Sequence, residues 1–191
     1  SKGNILYKYS APFPQRIFSP EVSFLISHIL LDNTARSEEF GLYSQLVVAG
    51  HPSVSVKTGT TNDIRDNWTV GYTPSVVVGV WVGNSDNSPM NPAIASGITG
   101  ASPIWNKIIS YALKNKPSEQ PFKPDDIIAL QVDAFGGGLP HGGQAARSEY
   151  FVKGTEPKEE SKIYQSKDGQ NYFVFHESDP VSTDGTNRWQ K

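Results

Sequence analysis

Between Ser53 and Gly83 the chain strings together three runs that suit a sheet better than any other local structure. Ser53 to Thr60 (SVSVKTGT) and Asn67 to Tyr72 (NWTVGY) have strand patterning, and Ser75 to Gly83 (SVVVGVWVG) is dense in β-branched and aromatic residues. The spacing predicts three strands, the last two forming a hairpin around Thr73-Pro74. The density of the third predicts a central, well-covered strand.

Two helical patterns flank these runs. In SPEVSFLISHILLDN, Ser19 is the expected N-cap and Pro20 takes the first helical position. Val22, Leu25, Ile26, Ile29 and Leu30 recur at helical spacing, which predicts a helix over 20–32. After a Gly-rich loop, Ser102-Pro103 opens a second helix with Trp105, Ile108, Ile109 and Ala112 on the face that packs on the sheet. Asn4 to Tyr9 reads as a short strand, and 35–52 as irregular.

With 37% hydrophobic residues in 191, the chain can bury a core, while 17 glycines and 14 prolines imply many turns. Pro117 to Asp125 (PSEQPFKPD) changes composition abruptly. The expected organisation is a main domain over 1–116, a linker over 117–124 and a small β-rich module over 125–191. In that module IIALQVDA is a strand candidate, IYQSKDGQNYFVFH a hairpin turning at Asp168-Gly169, and the last stretch from Ser178 a frayed end. The fold class is α/β (α+β), an antiparallel sheet with packed helices.

Several function classes fall away. A formal net charge of -2 and a pI near 6.1 give no reason to expect nucleic acid as a partner. The absence of cysteine removes disulfides, thiolate metal sites and a cysteine nucleophile, and leaves the redox compartment open. His28, His51, His141 and His176 have no metal-ligand spacing, so neither a metal nor another cofactor is expected. No apolar run approaches the roughly 18 residues that span a bilayer, and SKGNILYKYS lacks a signal-peptide core. Any targeting segment is expected outside this chain.

Against that background Lys57-Thr58-Gly59-Thr60 stands out. A lysine at a strand end is commonly a solvated edge residue. A glycine inside a strand costs packing and entropy, and marks a place where another backbone comes close. Thr58 and Thr60 bring two hydroxyls able to donate to a carboxylate, and Lys57 a positive charge. The set suits an extended peptide with a free C-terminus lying along the strand. Strict alternation sends Lys57 and the two threonines to opposite faces, which strand twist or an edge cleft must reconcile.

Lys-Thr-Gly belongs with Ser-x-x-Lys and Ser-Asp-Asn to the signature set of penicillin-binding proteins and class A β-lactamases. KTGTTNDIRDNWTVGYTPSVVVGVWVGN (Lys57 to Asn84) resembles the segment of the bifunctional, class A penicillin-binding proteins that begins at their third motif. GITGASPIW (Gly97 to Trp105) resembles the start of their closing helix, 3–41 is similar to what precedes the motif, and EYFVKGTEP resembles a segment beyond their catalytic domain.

The resemblance implies part of a transpeptidase fold, in which a serine attacks the carbonyl between two D-alanines of a peptidoglycan stem peptide and passes the acyl group to an amine. It implies peptidoglycan stem peptides and β-lactams as partners, and an extracytoplasmic, membrane-anchored protein. By motif position Lys57 sets the electrostatics of proton transfer, and the N–H of Thr60 supplies half of an oxyanion hole. Thr58 and Thr60 hold the substrate carboxylate, Gly59 admits the substrate, and Thr61 and Asn62 shape the cleft.

No serine in the chain is followed by lysine three positions later. Ser85-Asp86-Asn87 follows the Lys-Thr-Gly, where the family places its second motif before it, and reads as a turn. The chain is therefore expected to be the C-terminal part of a longer protein, inactive alone, with the missing N-terminal part as its partner. Alternatives are a β-lactamase or D,D-carboxypeptidase of the same fold, a non-catalytic module that binds wall peptides or β-lactams, and a structural role with a solvated strand end. Trp68, Trp81 and Trp105 are expected in the core, and Arg65 and Asp66 as a loop ion pair.

Overall fold

In a computed structural model the described residues are 5, 7–10, 13, 15–92, 95–142, 145–161, 164–167 and 170–173. Two compact units divide the chain, Ser1–Pro124 and Asp125–Lys191.

The first unit opens with helix α1 (Pro20–Leu31), whose N-terminus is capped by Ser19 accepting from the Val22 N–H. Asp32 ends it and at once caps α2 (Asn33–Phe40), its carboxylate accepting from the N–H groups of Thr34 and Ala35. This second helix replaces the irregular chain expected from residue 35. Its sequence, NTARSEEF, has no apolar stripe, so the signal lies in the cap. Gly41, at φ 78°, stops it. Ile5, Tyr7, Lys8 and Tyr9 carry no strand: none of them has a pairing partner among the described residues. Asn4 and Leu6 lie outside the described set.

The sheet has order β1-β2-β3, all antiparallel, built from β1 (Ser55–Thr60), β2 (Asp66–Tyr72) and β3 (Val77–Gly83). The hairpin at Thr73-Pro74 forms as expected, with Thr73 N–H donating to the Val76 carbonyl at 2.8 Å. β3 is not central among the described strands: it is an edge, Val77 is 71% exposed, and β2 holds the middle. β-Branched density reports fitness for a pleated surface, while coverage is decided by which neighbours arrive.

Helix α3 (Ala101–Leu113) lies on one face of this sheet. Its buried side is Ala101, Trp105, Ile109 and Leu113, spaced by four, with Ser102 beside the first; Trp105 and Ile109 are buried as expected, whereas Ile108 is 46% exposed and Leu113 is buried in place of Ala112. Leu46, Val48, Val54, Val56 and Val80 complete the core with it. Trp105 is fully buried over Gly71, where a β-carbon would lie 2.3 Å from the indole, and its Nε1 donates to the Val78 carbonyl at 3.1 Å.

The second unit pairs β4 (Ile127–Asp133) with β5 (Ala146–Val152), and β6 (Tyr164–Lys167) with β7 (Gln170–Phe173), both antiparallel. β5 covers ARSEY, whose polar sequence has no strand pattern to announce it. The β6/β7 hairpin matches its expected place; its Asp168-Gly169 turn and the stretch from Ser178 lie outside the described residues.

Candidate functional site

Lys57 to Thr60 are the last four residues of β1, the other edge of the sheet among the described strands. Alternation holds through the tetrad. Val56 points into the core beneath α3, so Thr58 and Thr60 share the α3 face, and Lys57 and Gly59 share the opposite face with Ser55. The Ser55 hydroxyl donates to the Ser27 carbonyl of α1, which identifies that second face as the α1 side. The edge position resolves the conflict the sequence posed: side chains from both faces border one open strand edge.

A β-carbon on Gly59 would meet no atom of the described residues within 4 Å, so among them the space over it is open. The Lys57 ammonium donates to the carbonyl of Thr58. Beside Lys57 and Thr58 opens an apolar cleft of about 280 Å³ whose floor includes Ile29, Leu30, Phe40 and Leu46. The α1–α2 corner forms its wall. Arg36 pins that corner, donating to the Leu30 carbonyl at 2.7 Å and to Asn33 Oδ1 at 3.2 Å. Burial lowers its pKa, and Asp32 opposes that shift.

Thr60 is held from the α3 side, its hydroxyl accepting the Gly97 N–H at 3.1 Å. Thr61 closes the following loop: its hydroxyl accepts the Asp66 N–H at 3.0 Å and donates to the Asp66 carbonyl at 3.2 Å. Asn62 begins the short 3-10 turn Asn62–Ile64 and is exposed. Asp63 and Ile64 both take left-handed backbone, φ 60° and 54°, which is strained for a β-branched residue. The Met90 N–H holds this turn through the Ile64 carbonyl at 2.9 Å.

Other residues singled out in the sequence go elsewhere. Trp105 is core, but Trp68 and Trp81, cross-strand neighbours, are 47% and 45% exposed. They fall on the α1 side of the sheet, away from α3, and alternation alone could not tell which side is covered. Arg65 pairs with Asp63 at 3.6 Å and donates to the Asn87 carbonyl, while Asp66 takes the Trp81 Nε1–H at 3.1 Å; Arg65 and Asp66 form no pair. Ser85 and Asp86 lie in a turn in which Asp86 accepts from the Ser88 N–H and hydroxyl. Among the described residues no group of three or more His, Asp or Glu could hold a metal ion.

The sequence reading missed the buried set beneath the tetrad, Asn67, Thr69, Gly97 and Ser102. Its one local signal was polar residues at alternate positions of β2, on the face that α3 covers.

This edge strand and its cleft form one open wall of a site, with one ammonium, two hydroxyls and a bare glycine along it. No protein-family model matches the chain. It is 28% identical over 191 residues to penicillin-binding protein 1A of Vibrio cholerae serotype O1, covering 86% of this chain and 23% of that protein. To penicillin-binding protein 1A of Haemophilus influenzae it is 33% identical over 170 residues, covering 85% of this chain and 19% of the relative. The crystal structure of penicillin-binding protein 1A from Haemophilus influenzae superposes with a TM-score of 0.63 at 32% identity, over 76% of this chain and 22% of that one. The chain thus spans about a fifth of the length of these relatives. It belongs to the class A penicillin-binding proteins and has the fold of part of their transpeptidase region.

Proposed function

We propose that this chain is one wall of the active-site cleft of a peptidoglycan D,D-transpeptidase that acts through a serine acyl-enzyme and binds β-lactams. The observation that carries the reading is the empty space over Gly59 on an edge strand, flanked by Lys57 and two threonine side chains. An extended stem peptide lying along β1 would meet the open edge of the strand, hydroxyls for its terminal carboxylate and one ammonium.

In the reaction a serine oxygen from a part of the protein outside this chain attacks the carbonyl between two D-alanines. A base whose field Lys57 sets takes its proton and delivers it to the departing nitrogen, so that the terminal D-alanine leaves as a free amine. The Thr60 N–H would stabilise the developing oxyanion, an interaction commonly contributing about 2.7–4 kcal/mol per donor. An amine of a neighbouring stem then takes the acyl group. Thr58 and Thr60 would hold the carboxylate, and Thr61 and Asn62 would shape the exit through the loop they build.

The N-terminal part of the same longer protein is the proposed partner. Val22, Ile26 and Ile29 of α1 and Trp68, Val70 and Val77 of the sheet expose large apolar side chains, which such a partner would cover. We assign 1–116 to the transpeptidase domain, 117–124 to a linker and 125–191 to an accessory module. Among the described residues no helix is long and apolar enough to cross a membrane. Localisation outside the cytoplasm, with an anchor elsewhere in the protein, follows the same family reading.

Intact mass after incubation with a fluorescent penicillin tests this. The longer protein should gain one adduct, and this chain none. An adduct on neither would replace the enzyme with a non-catalytic binding module, and an adduct on this chain would refute the missing nucleophile.

A further inference from the structure

The Thr60 hydroxyl has one proton and two lone pairs. One lone pair takes the Gly97 N–H, and among the described residues nothing accepts the proton. A hydroxyl fixed in this way directs its O–H away from Gly97, toward the solvent to which Thr60 is exposed.

Gly97 is itself clamped. Its carbonyl receives the Ser102 hydroxyl at 2.5 Å and lies 3.4 Å from Thr69 Oγ1, and the two hydroxyls are 2.9 Å apart. With the Ser102 proton on the Gly97 carbonyl, the single Thr69 proton goes to Ser102, the nearer acceptor. A directed chain results: Thr69 to Ser102, Ser102 to the Gly97 carbonyl, the Gly97 N–H to Thr60, and the Thr60 proton outward. Ser96 and Thr99 lock the same loop, each side-chain oxygen accepting the other's backbone N–H at 3.0 and 3.2 Å. Gly97 can sit here only as glycine without displacement, since a β-carbon would lie 3.0 Å from Thr58 Cβ.

Thr69 and Ser102 are fully buried beside the apolar core that α3 forms with the sheet. Packing alone is met as well by apolar groups of the same shape, because an internal hydrogen bond adds little net stability. We propose that Thr69 and Ser102 are positioning residues: they hold Gly97 so that its N–H presents the Thr60 hydroxyl as a donor to the carboxylate of a stem peptide or β-lactam. The inference rests on the D,D-transpeptidase reading.

The test uses the longer protein and measures second-order acylation rates with benzylpenicillin and with its methyl ester, which lacks the carboxylate. Thr69→Val and Ser102→Ala should each lower the acid-to-ester rate ratio roughly tenfold, as expected when a hydrogen bond to a charged group is weakened. Thr69→Ser keeps the hydroxyl and should retain the ratio. Thr69→Val preserves volume, so it serves if Ser102→Ala does not fold. A folded variant with an unchanged ratio, or with both rates reduced equally, overturns the positioning role and leaves the enzyme reading intact. A wild-type protein acylated by neither compound overturns both.

Discussion

Asn67, in the middle strand of the sheet, caps α3: its carboxamide oxygen accepts the Ala101 N–H at 2.9 Å. Gly100, the helix's own cap residue, has no side chain to do this, and a β-carbon there would lie 2.6 Å from Asn67 Nδ2. Strand and helix are thus joined by a buried polar contact next to the candidate site. Asn67→Ala should cost about 0.5–2 kcal/mol, the usual range for a lost cap. Urea unfolding should show a lower midpoint with an unchanged slope.

Gly71 faces the Trp105 indole, and its absent side chain makes the close packing possible. In Gly71→Ala the new methyl would also lie 2.9 Å from the Ser55 carbonyl, so backbone blocks the way as well as the ring. Overpacking of this kind costs about 3 kcal/mol. Near-ultraviolet circular dichroism should lose the signal of a fixed Trp105 as the midpoint falls.

The local parts of this architecture were legible in the sequence, and the non-local ones were not. Ser19-Pro20 and the apolar spacing after it announce α1, and Thr73-Pro74 between two apolar runs announces the hairpin. For α2 the Asp32 cap was present, but a polar octapeptide has no periodicity to support it. Trp68 and Trp81 show the limit of alternation: it groups residues by face and says nothing of what covers each face. The tetrad was readable because its chemistry is contiguous. The hydroxyl chain behind it joins residues 60, 69, 97 and 102, which only the folded chain brings together.

Glu119 ties the segment after α3 to the hairpin turn. The Thr73 hydroxyl, then that of Ser75, hold its carboxyl below the ordinary carboxylate range. A depressed folded pKa means that the stabilisation is complete above the unfolded value and is lost as pH falls through the folded one. Glu119→Gln should therefore narrow the stability difference between neutral and acid conditions, by a small amount because the group is exposed. Thermal melts of both forms from pH 7 to pH 3 check this.

The exposed indoles give a test of the proposed N-terminal partner. In a Trp189→Phe background, acrylamide should quench a red-shifted component in this chain that Trp68→Phe and Trp81→Phe together remove, leaving the shielded Trp105. If the proposed N-terminal part covers that face, the same component in the longer protein should shift to the blue and resist quenching. Equal quenching in both would mean that the α1 side stays in water.

Gly59 and Gly71 lie on neighbouring strands and should respond to the same substitution in opposite ways. At Gly59 the backbone φ is outside the left-handed region and a β-carbon meets nothing within 4 Å, so the fold has no objection to alanine. Removing a strand glycine should leave stability unchanged or raise it by about 0.5–1 kcal/mol. If the space is kept for a peptide backbone, the methyl occupies it. Gly59→Ala should then cut penicillin acylation of the longer protein by roughly tenfold or more, while its melting temperature holds or rises. Acylation at the wild-type rate would show that no ligand approaches β1 at Gly59, and the cleft would have to lie elsewhere.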